Sequence, residues 1–97
     1  MILLRWSVAQ KFILKHRFSN SSLKRWRNEV QNAEWNNFVE VRNTFSSADW
    51  VNGQIVFNAS GNKYRIIATV LFAEKTVYIE QVLTHEEYNQ GSWKKKN

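Results

Sequence analysis

Two short groups of residues in the second half of the chain have side chains suited to proton transfer and anion binding. The first group is the pair His85 and Tyr88. If this segment is helical, positions i and i+3 share a face, so an imidazole and a phenol converge on one substrate. Imidazole titrates near neutrality and suits acid–base catalysis. The structural alternative is a helix start capped by Thr84 with a packed tyrosine in its first turns.

The second group is the run Asn62-Lys63-Tyr64-Arg65. In an extended strand, Lys63 and Arg65 alternate with Tyr64 and point off the same sheet face. Two neighbouring cations favour a phosphate group, which arginine can bind through two parallel hydrogen bonds. The alternative is ordinary polar decoration of a solvent-facing strand.

The composition restricts what these residues can do together. The chain has no cysteine, two histidines and one aspartate. These counts argue against a thiolate nucleophile, a cysteine zinc site and a two-metal nuclease centre. RNA carries its own nucleophile, the 2′-hydroxyl, and its cleavage needs a base, an acid and cations for the phosphate. We therefore expect RNA chemistry without a metal or cofactor.

The net charge of +6 is concentrated at the two ends of the chain. Residues 1–30 contain seven Lys or Arg and one acidic residue, whereas residues 31–90 contain four Lys or Arg and seven acidic residues. Such clustering favours a polyanionic partner, although a solvated helix face and a soluble tail would look the same. The candidate RNA-binding cations are Lys24, Arg25, Arg27, Lys94, Lys95 and Lys96.

The hydrophobic pattern places these groups in a small α+β domain. Apolar stripes predict helices over residues 6–16, 23–33 and 38–45, and alternation predicts a β-meander over residues 54–83. A short helix then begins after Thr84. We expect one domain, 1–97, with N-terminal helices covering one sheet face and the face that carries Arg65 left partly open. No stretch is long enough for a signal peptide or a membrane span, so we expect a soluble cytoplasmic protein.

Side chains outside the two groups receive mostly structural interpretations. His16 lies on an apolar helical stripe, and Trp6 and Trp26 have core spacing. Trp35 and Trp50 stay undecided. Trp93 lies beside the lysine run, so it could contact RNA.

The ordered set of motifs resembles the HigB-type toxins, a branch of the RelE-like toxins of bacterial toxin–antitoxin systems. The motifs are the segments 33–35, 45–49 and 56–58, the run Gly61-Asn62-Lys63-Tyr64-Arg65, and the run Thr84-His85-Glu86-Glu87-Tyr88. The resemblance covers nearly the whole chain.

The resemblance implies a RelE-like fold, in which a small antiparallel sheet packs on N-terminal helices. It implies an mRNA endoribonuclease that cuts translated messages on the ribosome and inhibits translation. It also implies neutralisation by a cognate helix-turn-helix antitoxin of the HigA type, so that DNA is reached only through that partner. By position, Arg65 and Lys63 would stabilise the phosphate, Asn62 would contact RNA, and His85 and Tyr88 would be the acid and base in an order left open.

Three positions depart from the family pattern. Asn89 stands where aspartate is common, Glu80 stands where arginine is frequent, and Leu83 replaces a frequent glycine. Glu80 near the site would repel phosphate or pair with Arg65. The alternative function is therefore a non-catalytic RNA- or ribosome-binding module, or a degenerate toxin that only binds its antitoxin. A small DNA-binding regulator explains the sequence less well, because it leaves the β-meander without a role.

Overall fold

The computed structural model of this chain describes the backbone of residues 1–95 and the side chains as far as Lys94. The strands are β1 (Ile2–Leu4), β2 (Asp49–Val51), β3 (Gln54–Ala59), β4 (Tyr64–Leu71) and β5 (Thr76–Thr84). The helices are α1 (Trp6–Lys15), α2 (Asn20–Asn32), α3 (Phe38–Thr44) and α4 (His85–Gln90), with single 3₁₀ turns at Arg17–Ser19 and Ser92–Lys95. The predicted α+β class is confirmed.

The five strands form one sheet in the order β1-β5-β4-β3-β2. Strands β3, β4 and β5 make the expected antiparallel meander. The sheet is antiparallel except at one edge, where β1 runs parallel to β5. Strand β1 lies along the outer edge of β5, although three helices and three strands separate the two in the sequence. The short strand β2, which lacks an alternating pattern long enough to be recognised, pairs with β3 at the other edge.

The main core lies between the N-terminal helices and one sheet face. Trp26 of α2 packs edge-on against Phe57 of β3, and Trp35 stacks on the same phenyl ring. Trp35 is buried, and its indole N–H donates to the Thr44 hydroxyl. His16 stacks on Phe12, with ring centroids 4.3 Å apart, which confirms its packing role. Trp50, in contrast, is half exposed.

The opposite sheet face carries a second, smaller core. Val56 and Ile67 are buried there together with Trp93, which is only 6% exposed. Trp93, which the sequence left open as a residue for RNA contact, is therefore a core residue, because the segment after α4 folds back and buries the indole against the sheet. The face that carries Arg65 is correspondingly less open than the sequence suggested.

Two local features fix the ends of the elements that meet around Arg65. In the β3–β4 turn, Ser60 and Gly61 both adopt positive φ angles, of 55° and 65°. At the start of α4, the Thr84 hydroxyl accepts from the Glu87 amide while the Glu87 carboxylate accepts from the Thr84 amide. This reciprocal capping box satisfies two backbone donors at the helix start. No helix among the described residues has the length and apolar character needed to cross a membrane.

Candidate functional site

The two groups singled out in the sequence come together where β4 begins and α4 begins. Tyr64 is paired with Thr84, and Arg65 with Leu83, in the β4–β5 ladder. The His85 amide then donates to the Lys63 carbonyl oxygen over 2.8 Å. Residues about twenty positions apart are thereby held at one corner of the sheet.

The Arg65 guanidinium occupies the centre of this corner. Its Nη1 donates to the carbonyl oxygens of Asn62 and Tyr64, at 3.0 and 3.2 Å. Its Nη2 donates to Asn62 Oδ1 at 2.8 Å and to His85 Nδ1 at 3.1 Å. The four N–H groups of the two terminal nitrogens therefore have four acceptors, so the guanidinium is held in one orientation.

The charge of Arg65 has no acidic partner in the part of the chain that the structure describes. The residue is only 7% exposed. A buried cation is costly unless it is paired or well hydrogen-bonded. Neutral oxygen and nitrogen acceptors satisfy its hydrogen bonds but leave its positive charge uncancelled, which favours an incoming anion at this corner.

An aromatic stack supports the guanidinium from below. The Arg65 Cζ atom lies 5.2 Å from the centre of the Tyr88 ring, within the range of a cation–π contact. Tyr88 stacks in turn on Trp93, with ring centroids 5.0 Å apart and 19° between the planes. The Trp93 indole N–H donates to the Tyr88 carbonyl oxygen. The phenol face of Tyr88 is thus already used to position Arg65.

The His85 ring lies between Arg65 and Asn89. Its Nε2 atom is 3.1 Å from the amide nitrogen Nδ2 of Asn89, four residues further along α4. In the sequence, Asn89 stands out only as a departure from a family pattern, and that departure does not predict this contact. The spacing is a usable signal, since positions i and i+4 of a helix share a face.

Lys63 and Arg65 differ in how exposed their side chains are, which the sequence did not indicate. We expected both side chains on one strand face, but Lys63 lies in the turn before β4 and its side chain is exposed. Strand β4 begins one residue later, at Tyr64. Lys63 is therefore the accessible cation of the corner, and Arg65 is the buried one.

The three candidate RNA-binding cations on α2, Lys24, Arg25 and Arg27, lie in different surroundings. Arg25 is exposed and lines an open cleft of about 370 Å³ whose other wall includes Asn58, Ser60 and Gly61 of the β3–β4 turn. Lys24 lines another cleft, with Trp6 and Ile13. Arg27 is partly buried, with its guanidinium 4.5 Å from the centre of the Trp6 ring, so it also has a packing role.

The basic C-terminal segment is described only in part. Lys94 is exposed, and its Nζ lies 5.6 Å from the centre of the Trp93 ring. The Lys95 side chain and Lys96 lie outside the described residues. Among the three tail lysines, Lys94 is thus the one whose side chain the structure describes, next to the Trp93 ring.

Glu80 does not reach Arg65. Its carboxylate forms an ion pair with Arg5, at 3.1 Å, and accepts a hydrogen bond from the Thr69 hydroxyl at 2.9 Å. The β4–β5 pairing passes from Ile67–Gln81 to Ala68–Ile79, so Glu80 is the extra residue of a bulge. Of the two outcomes considered for Glu80, the ion pair with Arg65 is therefore excluded.

The arrangement combines an anion-attracting cation with two groups that can transfer protons. Arg65 supplies positive charge, Lys63 supplies an exposed ammonium, and His85 and Tyr88 supply an imidazole and a phenol within one corner. Within residues 1–95, no three His, Cys, Asp or Glu side chains lie close enough together to hold a metal ion. The residues present are suited to binding a phosphodiester and moving protons on and off its oxygens.

Comparisons with a family model and with curated proteins both match this chain to HigB toxins. Residues 19–91 match the model of the HigB toxin family, described as the RelE-like toxic component of a toxin–antitoxin system. The mRNA interferase toxin HigB of Escherichia coli (strain K12) is 36% identical over 52 residues, which cover 50% of this chain and 50% of the relative. Proteins named mRNA interferase HigB from Escherichia coli O157:H7 and Shigella flexneri match to the same extent. The alignment spans about half the length of these curated relatives.

Proposed function

The chain belongs to the HigB family of RelE-like toxins, and on that premise we propose that it is the toxin of a bacterial toxin–antitoxin pair and cleaves mRNA. The observation that carries the proposal is the buried Arg65 guanidinium, which has no acidic partner among the described residues and contacts His85 directly. The curated relatives that it matches are named mRNA interferases. We infer that translated messages on the ribosome are the substrate and that a HigA-type helix-turn-helix antitoxin is the partner.

The proposed reaction uses the RNA's own 2′-hydroxyl. The 2′-oxygen attacks the adjacent phosphorus while a base takes its proton, and the bond from phosphorus to the 5′-oxygen breaks as an acid protonates that oxygen. The products are a 2′,3′-cyclic phosphate and a 5′-hydroxyl. His85 and Tyr88 are the candidate acid and base, and no metal ion takes part.

The cations have separate tasks in this proposal. Lys63 contacts the phosphate before Arg65 does, because the Lys63 side chain is exposed. Arg65 has its terminal N–H groups engaged, so it binds a phosphate oxygen either through Nε or by exchanging Asn62 or His85 for that oxygen. Both cations stabilise the negative charge that grows on the phosphate during attack.

The test uses purified ribosomes translating a defined message, with 5′ ends mapped after addition of the native chain or of the Arg65→Lys variant. We expect new 5′-hydroxyl ends with the native chain and a loss of about 100-fold or more in cleavage rate with the variant. Lysine keeps the charge but cannot hold Asn62 and His85 in one plane.

The matched control for this test is Arg42→Lys, which changes an exposed arginine at the end of α3. It should cleave at the native rate. Binding to ribosomes without any new 5′ ends would reject the proposed enzyme in favour of a non-catalytic binding module.

A further inference from the structure

The contacts of the His85 ring determine which nitrogen carries its proton. Nδ1 lies 3.1 Å from Nη2 of Arg65. An arginine side chain has N–H donors and no acceptor, so His85 Nδ1 must be the acceptor of this hydrogen bond. In the neutral imidazole the remaining proton therefore lies on Nε2.

The second ring contact then fixes the role of Asn89. A protonated Nε2 can only donate, yet the Asn89 atom that lies 3.1 Å from it is the amide nitrogen Nδ2, which is also a donor. The oxygen and nitrogen of an asparagine amide are distinguished by their hydrogen bonds, because a half-turn of the group exchanges them. Two facing donors repel, so the amide orientation compatible with Arg65 has Oδ1 towards the ring.

We propose that Asn89 is a positioning residue, whose Oδ1 accepts from Nε2–H of His85 and holds the ring in the Nε2-protonated tautomer against Arg65. Arg65 and Asn89 then secure opposite sides of one imidazole. The contribution of Asn89 to catalysis rests on the proposed RNA cleavage, whereas its hold on the ring can be measured without any substrate.

The surroundings of Asn89 indicate that its role is not one of packing. Its side chain is exposed, so its replacement removes no core contact. The helix that carries it is defined independently at both ends, by the Thr84–Glu87 capping box and by Gly91 at a φ of 77°. Loss of the Asn89 amide should therefore leave α4 in place and remove only the contact that holds the His85 ring.

Asparagine at this position also differs chemically from aspartate. Both residues offer an oxygen acceptor to Nε2–H, but the amide adds no negative charge next to Arg65. The positive charge of the corner is thereby kept for the phosphate. Asn89→Asp should hold the ring equally well while partly cancelling that charge.

The experiment is nitrogen-15 NMR of the histidine side chains in the full chain, at a pH where the imidazoles are neutral. The His85 signals are assigned by their loss in His85→Gln. We expect a pyridine-like Nδ1, a pyrrole-like Nε2 and a directly observed Nε2–H signal that exchanges slowly with water. In Asn89→Leu the Nε2–H proton should exchange rapidly with water, whereas in Asn89→Asp its exchange should stay slow. The control variant is Gln90→Leu, which changes the neighbouring exposed residue, and its Nε2–H proton should exchange as slowly as in the native chain.

Cleavage of a translated message is measured on the same proteins. Asn89→Leu should reduce the rate roughly fivefold, as expected for one neutral hydrogen bond. Each of three results would overturn the proposal. They are a proton on Nδ1 of His85 in the native chain, an unchanged rate of Nε2–H exchange in Asn89→Leu, and an unchanged rate of cleavage in that variant. If the native chain shows the expected NMR pattern but cuts no RNA, the positioning by Asn89 stands and the proposed function fails.

Discussion

At the scale of single residues, Arg65 determines how the site is arranged. Its side chain hydrogen-bonds to the turn before β4, to the β4 backbone and to His85, and its guanidinium lies over Tyr88. One buried side chain therefore connects the turn, the strand and the helix. Removing it changes both the charge of the corner and the orientation of the groups proposed to move protons.

Glu80 allows a prediction at the same scale. We expect Glu80→Gln to leave the rate of mRNA cleavage within about twofold of native, because the carboxylate is paired with Arg5 and does not reach Arg65. The unfolding free energy, measured by urea denaturation, should fall by at most about 1 kcal/mol, as is usual for a partly exposed ion pair. A large rise in cleavage rate would show that Glu80 does oppose phosphate binding.

The residue types of the site were predictable from the sequence, but their contacts were not. The runs around Arg65 and His85 could be recognised by their chemistry and by their resemblance to a family. Lys63 lies in the turn before β4 and is exposed, whereas Arg65 is buried within the strand. Such a shift of one residue has no signal in a pattern of alternating side chains.

At the scale of elements, α4 and the turn after it cover the sheet face that carries the site. Trp93 packs on Val56 and Ile67, and its ring supports Tyr88. Helix α4 has only six residues and no buried side chain of its own. Its position therefore depends on the capping box at its start, on the contacts of His85 and Tyr88 with Arg65, and on Trp93 beyond its end.

We predict that Trp93→Ala lowers the unfolding free energy by about 3 kcal/mol or more, the usual cost of removing a buried aromatic side chain. It should also slow mRNA cleavage, because Tyr88 loses its stacking partner. Trp50→Ala is the control, since that indole is half exposed and should cost about 1 kcal/mol, the value of its aromatic contact with Phe38. Equal stability of the Trp93 variant and the native chain, in thermal or urea unfolding, would contradict this placement.

The elements themselves were largely predictable, because each meander strand and each main helix has a clear period. Strand β2 was not predicted, since three residues cannot establish an alternation. The parallel pairing of β1 with β5 and the return of Trp93 onto the sheet are contacts between distant segments. Local periodicity contains no information about either.

At the scale of the whole molecule, the net charge of +6 is the most evident property related to function. Lys24 and Arg25 are exposed on α2, but they line different clefts, and only the cleft of Arg25 includes the turn next to the site. A basic surface of this kind increases affinity for any polyanion without selecting a sequence.

The double variant Lys24→Ala/Arg25→Ala should therefore weaken binding of single-stranded RNA to a similar extent for unrelated sequences. Each lost contact should also reduce the slope of log affinity against log salt by about 0.7. Fluorescence anisotropy over a series of salt concentrations measures both quantities, with Arg42→Ala as a control outside the basic segment. An unchanged slope would show that these two cations do not meet phosphates.

The most direct test of RNA cleavage at the Arg65 corner is to replace the 2′-hydroxyl at the mapped cleavage position of a message with hydrogen. The native chain should cut the all-RNA message on translating ribosomes and leave a 2′,3′-cyclic phosphate and a 5′-hydroxyl. It should fail to cut the 2′-deoxy message at that position. Cleavage of the deoxy-substituted message, or products with 5′-phosphate ends, would contradict attack by the 2′-hydroxyl.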